Sequence, residues 1–396
     1  MTAAPTIIVA GAGIGGLTAS LTLAGQGFRV LLLERAERLE EAGAGLQLSP
    51  NASRVLIGLG LESQLSSHTI APDAVRVMAG RTGQEIGRIP LREAAARYGA
   101  PYWVMHRADL QAALAEKVAQ TPGIELRLGA EVIDIARDAG SAAVTFVQNA
   151  HHHQIAADAL IGADGVWSTV RERLFRDVHP QFTGRIAWRG ITDAARAPRD
   201  FEPRTVQLWL GANAHIVAYP MADGARINVV AITTDTWHAP GWSEPGDAAE
   251  LATQFSAQRW SEAARSLIAA VNSWRKWALF ALRDGGVWRK DRIALLGDAA
   301  HAMVPFVAQG AGMAIEDAVV LARCLADGRN DIPAALKHYE EQRAPRVTRV
   351  QRTAHQTGGI YHLSGPMALA RDTTMQLLGG ARLLSRQDWI YGWRPE

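Results

Sequence analysis

The sequence predicts an α/β protein: a parallel-sheet domain interrupted by an antiparallel sheet and followed by a helical tail. Three stretches carry that prediction. Residues 7–10 are a continuous apolar run that breaks into Gly11-Ala12-Gly13-Ile14-Gly15-Gly16, as a buried strand does when it turns into a helix. Between 181 and 282 the texture changes to short alternating segments (206–210, 215–219 and 227–230), the pattern of antiparallel strands. Residues 293–296 then return to the buried-strand pattern, end in Gly297-Asp298, and lead into helical sequence from Gly310 through the Gln351 region.

The first stretch has a mechanism. The helix-like 17–25 follows the turn, and a second strand, 29–33, ends in Glu34 with Arg35 beside it. In such a βαβ unit Gly11 permits the tight turn, Gly13 lets the backbone approach a pyrophosphate, and Gly16 lets helix and strand pack closely. The helix N-terminus offers N–H groups and partial positive charge to phosphates. Glu34, roughly 20 residues on, stands where an acid grips a ribose hydroxyl. The alternative is a tight turn in an ordinary α/β domain.

Composition narrows the classes. A chain of 396 residues has room for two cores. A net charge of +2 with 20% charged residues shows no basic stripe, so no nucleic-acid partner is expected. The lone Cys324 allows no internal disulfide and no cysteine cluster for zinc, which fits a reducing cytoplasm. No apolar run reaches the ~20 residues that span a bilayer, and the N-terminus lacks a secretory signal. A cytoplasmic protein without a membrane partner is expected. His151-His152-His153 reads as a polar hairpin tip, since consecutive strand residues point to opposite faces and no other ligand is adjacent; no metal site is expected.

Along the chain, 43–51 reads as a loop, 52–61 as a helix and 73–88 as strands. A helix opens at 106–110 and runs to about Gln120; strands near 124–128, 143–147 and 159–162 follow. The predicted organisation is a nucleotide domain in three parts, 1–72, 101–180 and 283–345. A substrate domain occupies 73–100 and 181–282, and a helical segment 346–396.

Two further motifs make the site specific. In Asp158-Ala159-Leu160-Ile161-Gly162-Ala163-Asp164-Gly165, a strand ends in Asp-Gly, and Ser168 and Arg171 follow as a helix begins. In Gly297-Asp298-Ala299-Ala300-His301-Ala302-Met303-Val304-Pro305, a strand ends in Gly-Asp and continues to Ala308-Gln309-Gly310-Ala311-Gly312. Acids after strands also cap helices, which is the plain alternative for each alone. With these motifs in order, nearly the whole chain resembles the single-component FAD-dependent aromatic hydroxylases of the para-hydroxybenzoate hydroxylase type. Ala187-Trp188-Arg189-Gly190, Ala308 through Ala311, and Asp388-Trp389-Ile390-Tyr391-Gly392 resemble the salicylate hydroxylase and 6-hydroxynicotinate 3-monooxygenase branch.

That resemblance implies a GR2-type Rossmann-like FAD-binding domain with Gly11, Gly13, Gly16 and Glu34 at the ADP half of FAD. It implies Arg107 at the phosphate–ribitol chain and Asp164 in a motif shared by FAD and the nicotinamide. It further implies Asp298 at the ribitol, and Pro305 through Gly310, Ala311 and Gly312 at the isoalloxazine. Many relatives have Gly where Ala308 stands and Asn where Gly312 stands. The implied reaction uses NADH or NADPH to reduce FAD, and O2 to form a C4a-hydroperoxyflavin that hydroxylates a small phenolic acid.

A phenolate is the better nucleophile, so a base at the phenol would help. His215 is the candidate: with Val217 and Tyr219 it shares one face of a predicted strand. His215 and Tyr219 then stand ~13 Å apart at ~3.3 Å per residue, enough to bracket one ring. A histidine is expected to titrate near neutral pH. A His and a Tyr at this spacing recur in the 6-hydroxynicotinate and 3-hydroxybenzoate relatives, as far as the resemblance extends. His301 is a weaker base candidate, Phe306 an apolar wall, Gln47 a flavin or substrate contact, and Arg189 a donor to a carboxylate.

The resemblance implies salicylate as the first substrate to expect, with 3-hydroxybenzoate and 6-hydroxynicotinate as alternatives. A flavin oxidase or dehydrogenase, a flavin-bound sensor and a flavin-free NAD dehydrogenase remain as other classes. The tail beyond Pro345, with Tyr361, Trp389, Tyr391 and Trp393, is a candidate cover for the domain junction or a homodimer contact.

Overall fold

The computed structural model describes residues 4–39, 45–137, 140–221, 224–239 and 241–395. Its first sheet has six strands in the order Arg289–Lys290, Ile293–Leu295, Ala159–Gly162, Thr6–Ala10, Arg29–Leu33 and Ile124–Arg127. All neighbours are parallel except the Arg289–Lys290 edge. Ile7, Ile8, Val9, Leu160 and Ile161 have no exposed surface, as a parallel sheet covered on both faces requires. The helix Ile14–Gly25 packs between Arg107–Gln120 and Gly310–Asp327.

The second sheet has eight strands: Ser243–Gly246, Trp274–Ala281, Gln181–Asp193, Arg226–Thr234, Ala214–Met221, Thr205–Gly211, Ala74–Ala79 and Glu85–Pro90. Its pairs are antiparallel, except that Thr205–Gly211 runs parallel to Ala74–Ala79. Short-range alternation cannot announce that parallel pairing. A three-stranded hairpin sheet, Glu131–Arg137, Ala142–Gln148 and His151–Ala157, turns at Asn149 and Ala150, both at positive φ, the backbone of a tight two-residue hairpin. The three histidines start its edge strand and are exposed. Among the described residues no cluster could hold a metal ion.

Two readings of the sequence need correction. Within the 43–51 loop, Gly45–Leu48 is a strand paired with Trp103–His106 and Pro50 already opens the helix Pro50–Gly58; residues 43 and 44 lie outside the described residues. The boundary set at 345/346 falls within one helix, Ile332–Tyr361. Its buried stripe of Leu336, Tyr339, Val347, Val350 and Ala354 runs through Pro345, so tertiary burial outweighs the lost N–H of one proline. The helices Gly365–Ser385 and Asp388–Tyr391 follow. Among the described residues, no helix is long and apolar enough to cross a membrane.

Candidate active site

A cavity of about 580 Å³ runs from the glycine turn at the end of Thr6–Ala10 to the inner face of the eight-stranded sheet. At the turn end the three glycines do different things. Gly11 has φ +100°, a conformation that glycine adopts readily. A Cβ on Gly16 would stand 1.8 Å from the Gly11 carbonyl oxygen. A Cβ on Gly13 would meet nothing within 4 Å, because Gly13 faces the cavity. Gly165 and Gly310 also line the cavity with open space where a side chain would begin. Neither Ile14–Gly25 nor Gly310–Asp327 is capped by a side chain, so both helices present their first turns to an anionic or electron-rich ligand. An extended cofactor carrying a pyrophosphate fits this cradle.

The predicted residues sort by position. Glu34 accepts hydrogen bonds from the Ala12 N–H (2.7 Å) and the Ala36 N–H (2.9 Å), which sets its carboxylate beside the turn; Arg35 is exposed next to it. Arg107 opens its helix and lines the middle of the cavity, as does the exposed Asp298 at the start of Asp298–His301. Pro305, Phe306, Ala308, Gly310 and Ala311 form one side.

Two residues do not take the place expected of them. The Asp164 carboxylate accepts from Ser168 Oγ (2.5 Å) and Val170 N–H (3.0 Å), so it caps the helix Thr169–Leu174 while its neighbours Ala163 and Gly165 line the cavity. Gly312 faces inward; a Cβ there would meet Gln309 Oε1 at 2.9 Å and Asn51 Nδ2 at 3.4 Å.

His301 is also outside the cavity lining. Its Nε2 bonds Asp317 Oδ2 at 2.6 Å. Arg343 joins Asp317 and Glu316, each at 2.7 Å, and Arg346 joins Glu316 to the Trp389 and Ile390 carbonyls. This network ties Gly310–Asp327 to the tail whose Trp389 and Tyr391 line the cavity.

At the far end is a chamber. His215, Val217 and Tyr219 line it from one face of Ala214–Met221, as strand alternation predicts. Opposite them in register, Ile232 pairs with His215 and Val230 with Val217, and both line the same wall. Gln47 accepts a hydrogen bond from the Tyr102 hydroxyl at 2.8 Å. Arg189 lines the wall with its guanidinium 5.2 Å from the Trp277 ring centre. Burial pushes the Tyr219 hydroxyl above its ordinary value.

His215 departs from the expectation of a group titrating near neutrality. It is 1% exposed; burial first, and the nearby His362 and Arg185 second, push it well below the usual histidine range. Its Nδ1 lies 2.8 Å from His362 Nε2, and Phe306 and Tyr361 stand edge-on to its ring at 5.4 and 5.3 Å. Sequence reading missed His362, and named Tyr361 only as one of the tail aromatics. They sit at the end of a helix 147 residues from His215, and no local pattern signals that meeting.

A family model described as an FAD binding domain matches residues 4–354. The chain is 36% identical to a 3-hydroxybenzoate 6-hydroxylase of Polaromonas naphthalenivorans, over 98% of this chain and 96% of that protein. It is 37% identical to a 3-amino-4-hydroxybenzoate 2-monooxygenase of Streptomyces platensis, over 98% and 96%. A salicylate hydroxylase solved in a substrate complex superposes with a TM-score of 0.84 at 27% identity, covering 99% of this chain and 96% of that one. With the glycine cradle already on the parallel sheet, these matches show that the chain belongs to the FAD-binding-domain family, among its FAD-dependent aromatic-ring monooxygenases.

Proposed function

We propose that this enzyme hydroxylates the ring of a small hydroxybenzoate, with 3-hydroxybenzoate placed ahead of salicylate. The chamber wall carries the reading: His215, Val217 and Tyr219 face one space from one strand, among Leu208, Val230, Ile232 and Phe306. The order of substrates follows the hydroxybenzoate relatives at 36% and 37% identity, against 27% for the salicylate hydroxylase. FAD, reduced by NADH or NADPH, supplies the activated oxygen from O2.

We assign Gly11, Gly13, Gly16, Glu34 and Arg35 to the ADP half of FAD, Arg107 to its phosphate–ribitol chain and Asp298 to the ribitol. Pro305, Gly310 and Ala311 are assigned to the flavin ring, where the N-terminus of Gly310–Asp327 favours negative charge. The protein's remaining work is orientation and exclusion of water. The apolar wall keeps the chamber dry, His215 and Tyr219 hold the phenolic end, and Arg189 attracts the carboxylate. We place the enzyme in the cytoplasm. Exposed Met367, Leu369 and Leu377 on Gly365–Ser385 support a homodimer through that helix.

The test is NAD(P)H oxidation with a set of hydroxybenzoates and hydroxypyridine carboxylates under isotopically labelled O2. We expect 3-hydroxybenzoate to stimulate oxidation and label to enter the product. Stimulated oxidation with unlabelled product would make the enzyme an oxidase; no stimulation by any hydroxybenzoate would overturn the substrate class.

A further inference from the structure

The buried pair His215–His362 decides what the chamber offers its substrate. Each neutral imidazole carries one proton, and the 2.8 Å contact between His215 Nδ1 and His362 Nε2 uses one of the two. The second proton sits on one outer nitrogen. If His215 donates the shared proton, its Nε2 is a bare acceptor toward the chamber and His362 Nδ1 carries an N–H. If His362 donates, the roles reverse: His215 Nε2 carries the N–H, and His362 Nδ1 is bare. The pair is therefore a two-position device whose setting depends on what faces each end.

The two ends differ. His362 Nδ1 is buried without a hydrogen-bond partner, and the charges of Arg185, from Gln181–Asp193, and Arg371, from Gly365–Ser385, act on His362. An unpartnered N–H in that positive field is doubly unfavourable, whereas a lone pair is favoured by it. The His215 end faces the chamber. Tyr361, edge-on to His215, is the other titratable group against the pair, and Phe306 covers the rest. Resting on the reading of this chamber as a hydroxybenzoate site, we infer that His362 is a positioning residue that holds His215 as a neutral hydrogen-bond donor, so the chamber selects a substrate oxyanion instead of taking a proton from a phenol.

The electrostatics agree. Burial, with Arg185 and Arg371, pushes His362 down to about 4, and burial, with His362 and then Arg185, pushes His215 well below its ordinary value, so the buried pair favours neutral rings. A neutral N–H aimed at the phenolic oxygen is the useful arrangement, since a hydrogen bond to the charged form favours the bound phenolate, the ionisation state whose ring carbon is the better nucleophile.

Three measurements on the FAD-loaded enzyme test this. Nitrogen-15 shifts of the histidine rings, taken without substrate, are expected to show His215 protonated at Nε2 and bare at Nδ1; the opposite tautomer overturns the inference. Second, kcat/KM between about pH 6 and 9 is expected to rise with the phenol ionisation of whichever hydroxybenzoate is used. A limb that stays fixed while the substrate's phenol pKa changes would mean that His215 is the base. Third, His362→Leu, which removes the donor, is expected to lower kcat/KM about tenfold or more, and His362→Gln, whose amide N–H can donate, to restore most of it. Wild-type kcat/KM in His362→Leu, or equal impairment in His362→Gln, sinks the proposal. Because the tautomer is read without turnover, an enzyme inactive toward every hydroxybenzoate would overturn the function and leave this result standing on its own.

Discussion

Replacing Gly13 and Gly16 separately by alanine should separate the two jobs of the turn. Gly13 has φ −72° and ψ −178°, a backbone any residue adopts, and no atom lies within 4 Å of its added methyl group. The folded protein without cofactor should therefore tolerate Gly13→Ala within about 1 kcal/mol. The methyl enters the cradle, however, and overpacking of about 1–3 kcal/mol against the bound pyrophosphate is expected, a roughly 5- to 150-fold loss of FAD affinity. In Gly16→Ala the methyl would meet the Gly11 carbonyl oxygen at 1.8 Å and its carbon at 3.0 Å. Helix and strand must part, so the cofactor-free fold itself should lose about 3 kcal/mol or more, with a fall of about 2–4 °C in Tm per kcal/mol. The assays are thermal unfolding of the cofactor-free protein and flavin-fluorescence quenching. A Gly13→Ala protein with wild-type FAD affinity would mean that the pyrophosphate does not pass Gly13, and the assigned path would be wrong.

Other predictions follow the same lines. His215→Ala should lower kcat about a hundredfold with FAD content unchanged; unchanged turnover would remove His215 from the chamber chemistry. Arg343→Met leaves the buried carboxylates of Glu316 and Asp317 short of a partner and should cost about 3–5 kcal/mol, read as the urea midpoint. Burial pushes the Asp317 carboxyl up, but His301 and Arg343 pull it down further, to a net value below 3.8. Its ion pairs therefore stabilise the fold above the ordinary carboxyl range and lose that effect as pH falls through the lowered value. The gap between wild type and Arg343→Met should accordingly be full at pH 7 and shrink below about pH 4. Ala308 sits at φ 51° and ψ 39°, so Ala308→Gly should raise stability by about 0.5–1 kcal/mol, measurable as a higher Tm.

What was legible in the sequence was local. Gly11 to Gly16 with Glu34, the strand 159–162, and Gly297-Asp298 each state their geometry within a short window, because a tight turn limits which residues fit. The shared face of His215, Val217 and Tyr219 follows from a period of two. Asp164 shows the limit: Asp-Gly after a strand looks the same whether the acid meets a ligand or its own helix, and here it bonds Ser168 and Val170. Gly312 was placed at the flavin by motif, yet its open side is taken by Gln309 and Asn51. His362 and Arg343 were invisible because their partners lie far away in sequence, at His215 and at Asp317, and long-range packing leaves no local period. The segment boundary set at 345/346 falls inside a helix because the buried stripe runs on through Pro345.

The ladder behind the chamber also bears on how such an enzyme could acquire a new substrate. Val217 and Val230 face each other across Ala214–Met221 and Arg226–Thr234, and Ile232 faces His215. Their backbones are held by the ladder whatever side chain they carry. Trading methyl groups at 217, 230 or 232 would reshape the room for a ring substituent while sparing the glycine turn and the histidine pair. Divergence toward differently decorated aromatics is thus open through single substitutions. Exchange of any one contiguous segment would not achieve it, since Gln47, His215, Phe306, Tyr361 and Tyr391 reach the cavity from widely separated parts of the chain.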